Sequence, residues 1–447
     1  MVKSGGMKPE GTPKQPLGAA FGNIFTANLA SSLGDGIVRI ALPLLAARLT
    51  QDALLIAIVA ALSLLPWLFF AIPAGILIDR IDRRRALALA QAVRVGLAIL
   101  LFVLVLNGAE TIWWIYLIVF VYGAFETVYD GAIRAVVPSI VGKADLPRAN
   151  SRIEAGELVV QNFLSGPLTS LLFAVSVLIP VGINGLVFAL AGGLALALPK
   201  AASGRQYAEA STEPVVPWHR QFLDGFRFII SSRMLVTLWL FSTFVGIVTS
   251  AATASWVLFV LEKLEVPEAL FGVFMLSGAV GGIVGAMLTS RLKAAWGAGL
   301  TMAIMSVIDG VVFLFAGLVP TVWAAAIAFA LSSGVITIWN ILVMSIRQSF
   351  IPGRLLGRVH GTWRTLLWGS MPIGSVIGGL LGRIDLTVPL IAGGAAALVA
   401  SVIFFRFLMT LPNPEDIDNG DRAPGDDAPE EPDLDDEAGP TDPTLQQ

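Results

Sequence analysis

Ionisable side chains in this chain fall inside stretches that are otherwise apolar. Asp35 and Arg39 stand one helical turn apart in such a stretch, a spacing that puts both on one helix face. Glu126, Asp130 and Arg134 recur at intervals of four in another. A charge is costly in an apolar medium, so carboxylates and guanidiniums placed this way are hypotheses for proton relay or for binding a charged solute. Asp35 has two open readings. It is a carboxylate whose protonation drives a cycle or which faces a cationic solute, or it is half of a permanent structural pair with Arg39. Glu126 is the second proton-coupling candidate, whereas Asp130 and Arg134 fall nearer a helix end. Arg94, Asp309 and Arg364 are each isolated in sequence. Asn28, Gln161, Asn162, Thr249, Trp256, Asp309, Trp339 and Asn340 are the polar and amphipathic residues expected to line a cavity, against the alternative that they simply pack helices.

The elements that hold these residues are hydrophobic runs recurring about a dozen times between Leu17 and Thr410, each near the ~20 residues that cross a bilayer. The expected spans are 21–47, 53–78, 86–106, 112–136, 153–176 and 181–199, then 233–260, 267–290, 299–318, 320–345, 359–382 and 387–410. The chain is 56% hydrophobic and 14% charged, the composition of a polytopic membrane protein. Five segments follow: a disordered terminus 1–16, a six-helix bundle 17–199, a linker 200–232, a second six-helix bundle 233–411 and an acidic disordered tail 412–447. In the linker, Phe222, Phe226 and Ile229 have helical spacing, which predicts an amphipathic helix along the membrane surface. The tail carries thirteen Asp and Glu against Arg422, so positions 1–411 have a net charge of +9 although the whole chain has −3. That excess lies in loops and is matched to anionic lipid; no nucleic-acid partner is implied.

Arg80, Arg83, Arg84, Arg85, Lys143, Arg148, Arg205, Arg220, Arg291, Lys293, Arg354 and Arg358 lie in alternate loops, which assigns those loops and both termini to the cytoplasm. With no cysteine and only His219 and His360, no thiol chemistry is available and a metal site is not expected. No phosphate-binding Gly-rich loop is present, which excludes ATP drive within the chain. No cofactor is called for; a proton gradient would be the energy source. Nothing resembles a soluble catalytic domain, so an enzyme is not expected. The first hydrophobic run, lacking a small-residue cleavage site, is read as its own insertion signal.

Gly75-Ile-Leu-Ile-Asp79-Arg80-Ile-Asp-Arg83-Arg84-Arg85 resembles the loop signature of the major facilitator superfamily, with Asp82 where that signature has a second glycine. Asn28, Leu33 to Gly36, Ala41 to Leu45, Pro138, Ala149 to Ser151, Gly166-Pro167 and Gly357-Arg358-Val359 are similar to the enterobactin-exporter and macrolide-efflux branch. The resemblance implies an all-α integral membrane fold of 12 transmembrane helices in two pseudo-symmetric six-helix bundles, with both termini cytoplasmic. It further implies a cytoplasmic latch of Gly75, Asp79, Arg80, Arg83, Arg84, Asp130 and Arg134. Gly/Pro breaks are expected at Gly166-Pro167 and at Gly369, Pro372 and Gly374, and Gly285 to Arg291 reads as a worn copy of the Gly75 to Arg85 stretch. The expected activity is proton-coupled export of a drug-like or siderophore-like molecule across the inner membrane of a bacterium, by a monomer. The rival on the same fold is a nutrient importer or facilitator.

Overall fold

The computed structural model describes residues 17–142, 145–203 and 218–417. The first sixteen residues, the linker stretch 204–217 and the tail from 418 lie outside the described residues. So do Lys143 and the side chains of Gly75, Asp79, Arg80, His219 and Arg354. The part of the expected latch that rests on Gly75, Asp79 and Arg80 is therefore not described.

The described chain is helical: α1 Ala19–Leu49, α2 Ala53–Arg80, α3 Arg83–Leu106, α4 Ile112–Ile140, α5 Leu146–Val175, α6 Leu178–Leu196, α7 Trp218–Ser231, α8 Arg233–Thr253, α9 Glu268–Leu318, α10 Val322–Phe350, α11 Gly353–Gly382 and α12 Val388–Met409. Eleven are long and apolar enough to cross a bilayer. The 51 residues of α9 would run about 77 Å as one rod, over twice the ~30 Å of hydrocarbon. Gly297 divides it, with φ 77° and ψ 164°, a conformation that a β-carbon would strain. The helix before Gly297 runs beyond the expected end at 290, so the expected loop is nearly all helix.

Carboxylates start the helices at the loops. Asp52 accepts from the Leu54 N–H at 2.9 Å and Asp82 from the Arg84 N–H at 3.0 Å, each satisfying a donor that the helix cannot. Asp82 also takes the Arg84 guanidinium at 2.8 Å, so the residue that departs from the family signature is the cap of α3. Large apolar side chains remain outside: Trp323 is 80% exposed and Trp113 69%. Both stand at the start of a long apolar helix, where interfacial tryptophans anchor a bilayer.

Two expected breaks come out differently. α5 does carry an irregular turn, a π-helical stretch Val159–Leu164, immediately before Gly166-Pro167. α11 runs unbroken through Pro372. Its Gly374 and Gly378 sit against the backbone carbonyls of Ile247 and Ala251 on α8, so these glycines serve close packing rather than a hinge. Gly285 likewise abuts Gly334 of α10. The apolar run expected at 233–260 is interrupted after Thr253, and a second π-helical turn follows at Phe259–Lys263.

The helix expected in the linker exists as α7. It docks on the start of α11: the Thr362 hydroxyl donates to the Phe222 carbonyl at 3.2 Å, and Arg358 pairs with Asp224 at 3.1 Å. Ile229 is fully buried, while Leu223 and Ile230 stay exposed.

Candidate functional site

A cavity of about 880 Å³ lies between the helices that precede residue 204 and those that follow 217. α1, α2, α4 and α5 supply most of the wall. Thr253, Trp256, Phe271, Arg364 and Trp368 supply the opposite face. Its lining extends to Val137 and Pro138 at the end of α4 and to Leu146 and Asn150 at the start of α5, the end that carries the basic loops.

The other end is shut. There Arg48 of α1 pairs with Glu268 of α9 at 2.5 Å, and Asp52 with Arg383 at 2.6 Å, both joining the two sets of helices. Lys263 meets Asp385 at 2.9 Å nearby. Ser170 donates to the Ala269 carbonyl at 3.0 Å, and Gly272 touches the Gly166 carbonyl so closely that a β-carbon on Gly272 would collide. Arg383 beside Asp52 holds that carboxyl below its usual range. The Thr387 backbone N–H and hydroxyl, with Lys263, hold Asp385 down to about 2.

Asp35 does not pair with Arg39. Its carboxylate turns inward, where Arg94 of α3 approaches at 3.3 Å and the Tyr122 hydroxyl donates to it at 2.5 Å. Arg39 is exposed to the cavity instead. The same helical face allows the i, i+4 contact, but the buried cation on α3 wins because Asp35 is the carboxylate within ion-pair distance of it. Arg94 is fully buried and its guanidinium lies 4.9, 5.2 and 5.4 Å from the rings of Tyr122, Phe188 and Tyr129. Ser31 accepts from both Arg94 at 3.1 Å and Gln91 at 2.9 Å. Gln91 and Arg94 form an i, i+3 polar face on α3, a signal present in the sequence for an inward-facing site that single-residue reading passes over.

Glu126, Asp130 and Arg134 all line the cavity, as the four-residue spacing requires. No salt bridge within 4 Å joins Glu126 or Asp130 to a cation among the described residues. Arg83 donates to the Ala135 carbonyl at 2.8 Å and Arg84 to the Leu198 carbonyl at 3.0 Å, tying the start of α3 to the ends of α4 and α6. Of the other expected lining residues, Asn28, Gln161 and Trp256 are in the wall, and Asn28 donates to Glu157 at 2.8 Å. Asn162, Thr249, Asp309, Trp339 and Asn340 are not among the lining residues. Asp309 is buried and accepts from Ser332 of α10 at 2.6 Å, so it has the partner that sequence alone did not supply. Trp339 packs on Phe241 at 5.3 Å, Asn340 is exposed, and the break after Thr253 turns Trp256 rather than Thr249 into the wall. Arg364, isolated in sequence, lies between Trp67 at 4.6 Å and Trp368 at 4.8 Å in the cavity wall.

A closed end, an open end and a charged cavity between two sets of helices form the geometry of a transporter. The family model described as transmembrane secretion effector, in the major facilitator superfamily, matches residues 12–444. The chain belongs to this family. Major facilitator proteins are transporters and not enzymes, and this one is a multi-pass membrane protein. The enterobactin exporter EntS of Shigella boydii serotype 4 is 23% identical over 406 residues, 88% of this chain and 92% of that protein. EntS of Escherichia coli O81 matches to the same extent. Among solved structures, the nucleoside transporter NupG is similar with a TM-score of 0.67 at 14% identity, covering 88% of this chain and 99% of that one. A bacterial homologue of the iron transporter ferroportin in its inward-facing state has a TM-score of 0.70 at 17% identity, with 89% and 100% covered. Both likenesses concern the fold.

Proposed function

We propose that the protein exports a drug-like or siderophore-like organic molecule across the cytoplasmic (inner) membrane of a bacterium by alternating access, with protons moving inward in exchange. Counting α9 as two passages gives twelve crossings in two bundles of six, with both chain ends on the side of the basic loops. The Lys and Arg excess there supports a cytoplasmic face. On that assignment the structure is open to the cytoplasm, the state in which an exporter loads its cargo.

One observation carries the coupling: Glu126 stands in the cavity wall with no salt bridge among the described residues, one turn along α4 from the Tyr122 that holds Asp35. A carboxyl placed there can exchange a proton without breaking a salt bridge, whereas Asp35 is tied to a buried guanidinium. Asp35, Arg94 and Tyr122 accordingly position the wall, and Glu126, with Asp130 toward the mouth, carries the proton. Antiport needs cargo and proton to favour opposite facing states. Cargo entering beside Glu126 favours loss of its proton to the cytoplasm; a proton taken up from outside favours the return. Export rather than import is supported by the enterobactin-exporter relatives, which align over nearly their whole length. The lining of aromatic rings and apolar side chains around scattered charges suits an amphipathic cargo better than a sugar.

The test uses inside-out vesicles holding an imposed proton gradient read by a pH-quenched dye. Macrolides, lipophilic cations and catecholate siderophores are added in turn. Dequenching triggered by one class, and lost in Glu126→Gln, is the expected result. Dequenching by none of them, with uptake into right-side-out cells instead, would replace export by import.

A further inference from the structure

Arg220, Leu223, Arg227 and Ile230 share one face of α7. At about 100° per residue they fall within an arc of about 80°, the two aliphatics along one edge and the two arginines along the other. All four are exposed, Leu223 by 44% and Ile230 by 50%. The opposite face is the one that docks. Ile229 is buried there, and a β-carbon on Gly225 would collide with the Thr362 hydroxyl and the Arg358 carbonyl of α11. Asp224 is the only acidic residue of α7, and Arg358 takes it at 3.1 Å. No salt bridge joins Arg220 or Arg227 to a carboxylate among the described residues. Ser232 then turns the chain, its backbone extended, and accepts from the Leu235 N–H as the cap of α8. α8 is apolar and long enough to cross a bilayer, so Ile230 lies within one turn of the start of a crossing.

We propose that this face of α7 binds anionic phospholipid at the end that carries the basic loops. Leu223 and Ile230 lie against the acyl chains, and Phe226, half-buried beside Ile230, extends the strip. Arg220 and Arg227 reach past them to the phosphates, which a guanidinium holds through two parallel hydrogen bonds. Three features select a lipid as the occupant. The charge is opposite to that of a phospholipid phosphate. The aliphatics adjoin the arginines on one face, as acyl chain adjoins headgroup. The position beside the start of α8 is where a bilayer presents both groups. Spacing in the sequence gives the membrane contact to Phe222, Phe226 and Ile229, but α11 takes Ile229, which leaves the contact to the face turned away. Asp224 and Gly225 fix α7 to the start of α11, whose Arg364 and Trp368 stand in the cavity wall. The lipid is thus held against a helix that bounds the cavity.

The chain contains no cysteine, so introduced ones are unique labels. A fluorophore is placed on Leu223→Cys, Ile230→Cys or Ser231→Cys of the full-length protein in nanodiscs. Two quenchers are compared, phosphatidylglycerol and phosphatidylcholine carrying the same nitroxide high on one acyl chain. Labels on Leu223→Cys and Ile230→Cys should be quenched by lipid, and the label on Ser231→Cys by aqueous iodide. Phosphatidylglycerol should quench the Leu223→Cys label in preference to phosphatidylcholine. A cation near an anionic surface contributes about fivefold, so two arginines set a preference of up to roughly 30-fold. Adding Arg220→Gln and Arg227→Gln should remove that preference, while Arg220→Lys and Arg227→Lys, which keep the charge, should retain it. Iodide quenching of the Leu223→Cys and Ile230→Cys labels without lipid quenching overturns the proposal. Protection of both from either quencher also overturns it, because a second copy or another protein would then cover the face. So does a preference for phosphatidylglycerol that survives the glutamine variant.

Discussion

Replacing Asp35 by Asn tests whether the buried pair is a structural unit. The substitution leaves Arg94 fully buried without its salt-bridge partner, with Ser31, three aromatic faces and the more distant carboxyls of Glu126 and Asp130 around it. Breaking a buried pair by removing one partner costs about 3–5 kcal/mol. Asn keeps an acceptor for the Tyr122 hydroxyl, and each ring face stabilises the cation by ~0.5–2 kcal/mol, so the lower end, about 3 kcal/mol, is expected. For a chain this long, size scaling gives about 1–2 °C per kcal/mol, hence a fall in Tm of roughly 3–6 °C. The assay is thermal unfolding of purified protein in detergent, with Arg94→Met and the double variant measured alongside. Because the double variant removes both charges, it should be less destabilised than the two singles summed, with a coupling of about 1–3 kcal/mol. Single variants within about 1 °C of wild type, or strict additivity, would refute the reasoning that Asp35 and Arg94 hold each other.

Other expectations follow from the same geometry. Gly272→Val puts a side chain into the Gly166 carbonyl and should prevent the outer end from closing; a cysteine introduced at Ala269 would then label from outside far more readily than in wild type. The Asp52 carboxyl of the outer latch, and Asp385 beside it, should stay ionised through the physiological range. Both carboxyls are held below their unfolded values, so their contribution is present above the unfolded range and is lost only as pH falls through the lowered values, about 2 for Asp385. With the proton-carrying carboxyls removed (Glu126→Gln, Asp130→Asn), outer-face accessibility should therefore be the same at pH 5 and pH 8, and a change that remains would mean that another group governs the latch. Asp309→Asn keeps an acceptor for Ser332 outside the cavity, so transport should stay within about twofold of wild type, whereas a severe loss would return Asp309 to the site.

The long apolar helices were legible because each must be apolar over a bilayer's width, and the lysine and arginine pattern marked one end. The i, i+4 stripe of Glu126, Asp130 and Arg134 was legible for the same reason that α4 is regular there. What escaped depends on partners distant in sequence. Asp35 meets Arg94 and Tyr122 only because α1, α3 and α4 pack together, and neither of those residues is within one turn of it. Spacing therefore pointed to Arg39. The π-helical turn at Val159–Leu164 and the break after Thr253 interrupt regular helical spacing, and Gln161 and Trp256 face the cavity while Asn162 and Thr249 do not. Proline and glycine in α11 suggested a break, yet the glycines are used for contact with α8, a choice that only packing reveals.

The central claim is that cargo binding and proton loss meet at Glu126. The direct measurement is proton release on addition of a transported compound to purified protein in weakly buffered detergent, read with a pH indicator. Wild type should release about one proton per protein, and Glu126→Gln should bind the compound but release none. Equal proton release from Glu126→Gln at full occupancy would contradict the account and move the coupling to another carboxyl.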